Sequence, residues 1–194
     1  MSGRPKIFDE DDVIRKATTV FWTKGYEPAS TEELLEAMGI GKGSFYLAFK
    51  GGKKELFERV LEQFSKEQLI KFRKKLDDSD DQVETLKDLF RDIATGTRHA
   101  HQKGCIFGNT LAELSNSDVI LRDKAVNLLH RLETLFLDVI RKAQASGRLK
   151  NRENPELIAQ NLITIWNGLG ITRRMYPDNN VLRGIVEMQL QFLR

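Results

Sequence analysis

Apolar residues recur at intervals of three and four along almost the whole chain, and strict alternation, the mark of a strand, is nearly absent. Such spacing gives each helix one oily face that must be buried against another helix, so the expected class is all-α. Helices are predicted at about 9–24, 31–38, 42–48, 53–76, 81–101, 105–115, 118–146, 155–174 and 179–193. The breaks carry their own chemistry. Asp77-Asp78-Ser79-Asp80 is polar and turn-like, Gly104 separates two helices, and Asn116-Ser117-Asp118 can cap the seventh helix. Gly147 is a natural stop. Asn154-Pro155 is a cap followed by a proline at the first helical position, and Pro177-Asp178 opens the last helix.

The stretch from Ser30 to Leu56 narrows the function. Ser30 or Thr31 can cap a short helix, and Glu33 stands three residues after Ser30, as a capping box requires. Leu34, Leu35 and Met38 form its apolar face. Gly39 suits the left-handed position that ends it. A second helix follows from about Lys42, with Phe45 and Phe49 inward and Lys42, Ser44, Tyr46 and Ala48 outward. Two short helices about a glycine turn make a helix-turn-helix, whose second helix is expected in a DNA major groove.

Charge supports this only through its distribution. The net charge is +3, and residues 1–60 hold ten basic and ten acidic side chains. From Ala37 to Lys54, however, there is no acid and there are four lysines: Lys42, Lys50, Lys53 and Lys54. Phosphate contacts need positive or hydrogen-bonding groups beside the recognition helix.

Gly39-Ile40, Gly43-Ser44-Phe45-Tyr46, Phe49 and Lys53/Lys54-Glu55-Leu56 resemble the DNA-binding signature of the TetR family of transcriptional regulators. The preceding helix, with Val13, Ile14, Ala17, Val20 and Phe21 before Lys24-Gly25-Tyr26, fits it too. The resemblance is close over about the first 60 residues. It implies a TetR-like fold: an N-terminal three-helix DNA-binding domain at 1–52 and a larger helical effector-binding and dimerisation domain at 53–194. It also implies a homodimer paired through the helices near 155–174 and 179–193, a double-stranded operator as partner, and a small-molecule effector. The expected DNA-binding residues are Arg4, Thr31, Lys42, Ser44, Tyr46, Lys53 and Lys54. Three departures stand out. Ala48 occupies a position where many members carry histidine, Leu35 one often held by alanine, and the Phe49-to-Leu56 interval is one residue longer than usual.

The last two helices are nearly apolar all round in places, with a surplus around Ile165, Trp166, Ile185 and Met188. Such helices need burial on more than one side, which a second subunit supplies; internal core is the competing account. Gly104-Cys105-Ile106-Phe107-Gly108-Asn109 with Ala112-Glu113-Leu114 is similar to a pattern in a subset of the family. An effector cavity is expected here, with Phe90, Cys105, Phe107, Asn109 and Trp166 as lining residues. Cys105, near a helix start, is either a sensor of electrophiles or oxidants or a small core side chain.

Other chemistries find little support. His-x-His at 99 and 101 points two rings to different faces, and solvated histidines near a helix end are expected in preference to a metal site with Cys105. No serine–histidine–acid arrangement, phosphate-cradling loop or cofactor motif stands out, which disfavours a helical enzyme. No run of 18 apolar residues occurs, and no apolar segment follows the basic N-terminus. One cysteine allows no internal disulfide, so a reducing cytoplasm is expected.

Overall fold

The computed structural model describes residues 8–176 and 178–194, and among these it contains ten helices and no strand. They are α1 (Glu10–Lys24), α2 (Thr31–Met38), α3 (Lys42–Ala48), α4 (Gly52–Asp77), α5 (Gln82–Ala94), α6 (Arg98–Lys103), α7 (Ile106–Leu114), α8 (Val119–Ala145), α9 (Pro155–Met175) and α10 (Asn179–Gln189).

Local signals set most of the boundaries. Ser30 and Glu33 close a full capping box at the start of α2, each side chain taking the other residue's backbone N–H. Gly39 ends α2 at φ 69°, a left-handed position that costs any residue with a Cβ. Asp118 caps α8 and Asn154 caps α9, with Pro155 in the first turn. Pro177 lies outside the described residues, and Asp178 caps α10.

The single helix expected over 81–101 is two. α5 stops at Ala94, and Thr97 accepts from the Ala100 N–H to start α6. Thr95 and Gly96 between them cannot be spanned at low cost by a helix whose next residue offers a better cap. α10 also ends four residues earlier than the apolar pattern suggests. Leu190 and Leu193 still pack inward, and the Arg194 carbonyl accepts from Lys150 and Asn151.

Two cores fill the bundle. One joins α1–α3 to the first half of α4 and continues into Ile106, Leu114, Leu121 and Leu128 of α7 and α8. The other holds Phe72, Phe90, Phe136 and the inner faces of α9 and α10. The division between them runs through α4, between Leu61 and Phe72. Arg59 fastens the N-terminal unit: it pairs with Glu10 and Glu55 and lies over the Phe49 ring. At the opposite end Arg91 bridges α5 and α10 through Glu187, at 2.6 Å.

Candidate nucleic-acid interface and adjoining cavity

α3 has seven residues, and only Phe45 is fully buried among them. Phe45 and the following Phe49 stack toward the core at 5.4 Å, so the rest of the short helix faces out. Lys42, Tyr46 and Leu47 are exposed and Ser44 is half-buried. None of the four side chains has a hydrogen-bond or ion-pair partner among the described residues. Gly41 precedes the helix without a capping side chain, so the first N–H groups of α3 are also uncommitted. Leu47 is 72% exposed and was not among the residues picked from sequence. Its position two residues from both Phe45 and Phe49 already places it opposite the core.

Lys53 and Lys54, both expected beside DNA phosphates, also have partners within the chain. The Lys53 Nζ donates to the carbonyls of Tyr26, Glu27 and Ala29 at 3.1–3.3 Å and lies 4.6 Å from the centre of the Tyr26 ring. It closes the carboxyl side of the α1–α2 loop. Lys54 pairs with Asp118 at 2.7 Å, tying α4 to the start of α8 and holding the Asp118 carboxyl below its usual range. Gly52 takes φ 64°, and the Gly51 N–H donates to Glu55, restarting the chain as α4. Lys53→Met is therefore expected to lower stability by about 1–2 kcal/mol, since three carbonyls lose a charged donor. Thermal melting checks it: a Tm within 1 °C of the parent, against an expected drop of roughly 2–4 °C per kcal/mol for a chain this size, would deny Lys53 that role. Thr31 is half-buried as the first residue of α2, and Arg4 lies outside the described residues.

A cavity of about 350 Å³ lies between α1, α4, α5, the α6–α7 junction, α8 and α9. Trp22, Phe64, Leu69, Phe72, Phe107, Leu132 and Trp166 supply its apolar walls, and Ser65, Cys105 and Arg173 its polar points. Three of the expected lining residues, Cys105, Phe107 and Trp166, meet there. Phe90 does not line it: fully buried, it packs on Phe136 and meets the Trp166 ring edge-on at 5.9 Å. Asn109 does not line it either. Its Nδ2 donates to the Lys103 carbonyl at 2.8 Å and its Oδ1 accepts from Arg174 at 2.6 Å, so it splints α6 to α7 and α9.

The histidine expectation changes as well. His101 is 2% exposed, not solvated. Its Nδ1 accepts from Arg173 Nε at 3.2 Å, which requires a lone pair there and places the ring proton on Nε2, 2.8 Å from Asn179 Oδ1. Burial pushes the Arg173 guanidinium below its ordinary range. Gly104 lies at φ 61°, and a Cβ there would meet the Gly170 carbonyl at 2.6 Å, so only glycine allows this close crossing of α9.

The cavity and the DNA-binding unit touch directly. Glu113, in the last turn of α7, accepts from the N–H groups of Tyr26 and Glu27 at 2.9 and 2.7 Å. Trp22 of α1 donates to the Gly104 carbonyl at 3.1 Å.

Residues 13–60 match the model of the tetR family of bacterial regulatory proteins, and residues 81–188 match that of the tetracyclin repressor-like C-terminal domain. The repressor BdcR of Escherichia coli (strain K12) is 28% identical over 89% of this chain and 82% of its own. The repressor DhaR of Mycobacterium sp. (strain GP1) is 27% identical over 92% and 90%. Among solved structures, a cysteine mutant of the regulator CifR, complexed with 26-bp double-stranded operator DNA, superposes with a TM-score of 0.84. It is 29% identical over 99% of this chain and all of that one. With both halves matched and the helix-turn-helix in place, the chain belongs to the TetR family and is a helix-turn-helix transcriptional regulator.

Proposed function

We propose that the protein is a cytoplasmic, ligand-responsive repressor that works by binding alone, without catalysis. Residues 1–52 grip a near-palindromic double-stranded operator, and residues 53–194 dimerise and hold the effector. The observation that carries this is the outward face of α3, where Lys42, Ser44, Tyr46 and Leu47 have no hydrogen-bond or ion-pair partner among the described residues beside an uncapped helix start. The similarity of this chain to the operator-bound CifR mutant supports the same use of that face.

Roles follow from chemistry. Lys42, at the start of α3, donates to guanine O6 and N7, and Leu47 packs on a thymine methyl. Ser44 reads a base edge beside Lys42, while Tyr46 and the α2 start at Thr31 hold phosphates. Among the described residues no helix is long and apolar enough to cross a membrane. The outward faces of α9 and α10 carry Leu157, Ile171, Met175, Val181 and Met188, which a second copy would cover. An effector in the cavity that fits one spacing of the paired α3 helices better must weaken operator binding by the same coupling energy.

The test is fluorescence anisotropy on DNA from beside the protein's own gene, at several salt concentrations. Lys42→Ala should cost about 1–3 kcal/mol at one base position and leave binding to the substituted site unchanged. An equal loss on every sequence would make Lys42 a phosphate contact instead. The exposure of Cys105 to the cavity favours a covalent form of the same reading, in which Sγ adds to the β-carbon of an activated alkene: the S–C bond forms as the C=C π bond breaks, and the thiol proton ends on the α-carbon. Electrophiles that still release DNA from a Cys105→Ser protein would remove it.

A further inference from the structure

The polar groups around the cavity are unequal in kind. Its half-buried cation, Arg173, spends Nε on His101 and has no acceptor for Nη1 or Nη2 among the described residues. No carboxylate among them lies within ion-pair distance of it. The Ser65 hydroxyl, 2% exposed, is likewise without a hydrogen bond among the described residues. At the rim stand Lys71 and Lys75 against one acid, Asp92, which Lys75 approaches at 3.5 Å. The site thus offers donors and positive potential over an apolar floor. A guanidinium taken this far out of water is costly until an anion or acceptor meets it.

The position of Arg173 is built, not accidental. His101 fixes Nε, and the His101 ring is fixed in turn by Asn179. Gly96 leaves the space: a Cβ there would stand 2.9 Å from Arg173 Nη2. With Nε tethered, the two Nη groups form a fork suited to a planar carboxylate.

We propose that the cavity takes a small carboxylic acid with an apolar body, the carboxylate on Arg173 Nη1 and Nη2 and the body among Phe64, Phe107 and Trp166. This rests on the reading of the cavity as the effector site and names the chemical class of the effector. A volume of about 350 Å³ lies at the small end of ligand pockets, about 300–1,000 Å³, so the acid is compact. A neutral apolar ligand would leave the fork unmet; a basic one would face three cations against one acid. The anion also has a route outward. Drawing charge onto Arg173 acts on His101 and, through it, on Asn179, the first residue of α10.

Octanoate and phenylbutyrate, each beside its uncharged amide, are the probes. Quenching of tryptophan fluorescence reads binding, because both tryptophans of the chain, Trp22 and Trp166, line the cavity. The acids should bind the full-length protein about tenfold or more tighter than the amides, the scale of one charge-assisted hydrogen-bonded pair. Arg173→Gln should bring acid and amide to within about threefold of each other, mainly through lost acid affinity, and Arg173→Lys should keep a reduced preference. Equal binding of acid and amide by the parent protein overturns the carboxylate proposal and leaves the cavity as an effector site. A preference that survives Arg173→Gln overturns it too, by assigning the anion to Lys71 and Lys75. If neither acid nor amide binds, the cavity reading itself fails and the proposal with it.

Discussion

Glutamate at both Ile171 and Met188 is expected to leave the protein monomeric and to remove most of its operator affinity. In one chain these side chains are 61% exposed each, on the outward faces of α9 and α10, while Ile158, Leu162 and Leu169 fill the inward face of α9. Leu157, Thr164, Gly168 and Ile171 fall on one stripe of α9, and a Cβ at Gly168 or Gly184 would meet nothing within 4 Å, so a partner helix can lie close there. Two charges per chain brought together at a buried dyad would each need desolvation without a partner, a cost of several kcal/mol. Loss of the dimer unlinks the two half-sites, and avidity of about 10²–10⁴ disappears with it. Sedimentation at micromolar concentration reads the first effect and anisotropy on the full operator the second. A doubly substituted protein that still sediments as a dimer would move the interface away from these helices. Its folding is checked by circular dichroism, since neither side chain belongs to the core.

Phe45→Ala is the second large effect. The ring is fully buried, packs against Phe49 and Tyr46 at 5.4 and 5.0 Å, and is the only buried anchor within α3. Truncating such a phenylalanine costs about 3–5 kcal/mol, a large share of ordinary domain stability. A seven-residue helix has little stability of its own, so α3 should lose its place and operator binding with it. Leu47→Ala is the matched control on the same helix. It should leave the melting temperature unchanged and reduce discrimination at one thymine. A Phe45→Ala protein that melted with its parent and bound DNA normally would mean that α3 is held by something other than this ring.

What the sequence made legible was local. Ser30, Glu33 and Gly39 encode the α2 cap and stop within ten residues, and Phe45 and Phe49 orient α3 through their spacing alone. The family's signature spans the same stretch. Contacts between residues far apart were not legible. Nothing near Lys53 announces that its ammonium group reaches back 24 to 27 positions to three carbonyls. Nothing near His101 announces Asn179, 78 residues on. The outward apolar faces of the last two helices were half readable for a related reason. A helix apolar on every side does not say which side its own chain covers: Ile165 proved to be core and Ile185 half-buried, whereas Met188 faces out. For the cavity, apolar character alone could not separate Phe107, which lines it, from Phe90, which is sealed behind Trp166.

The grip of Glu113 on the α1–α2 loop has a mechanical consequence. The loop is held from two sides by different parts of the molecule: its N–H groups by α7, its carbonyls by Lys53 of α4. α7 is a rod about 13–14 Å long, with Cys105 and the cavity at one end and that carboxylate at the other. Its far end has no slack, because Gly25 leaves Glu113 only the space of a missing Cβ, 2.9 Å from Oε2. The first turn of α7 at the cavity is thus joined to the α1–α2 loop by one short helix, with Glu113 at the loop N–H groups and Lys53 at its carbonyls. A shift of the first turn of α7 is expected to reach the α1–α2 loop over the length of this one nine-residue helix.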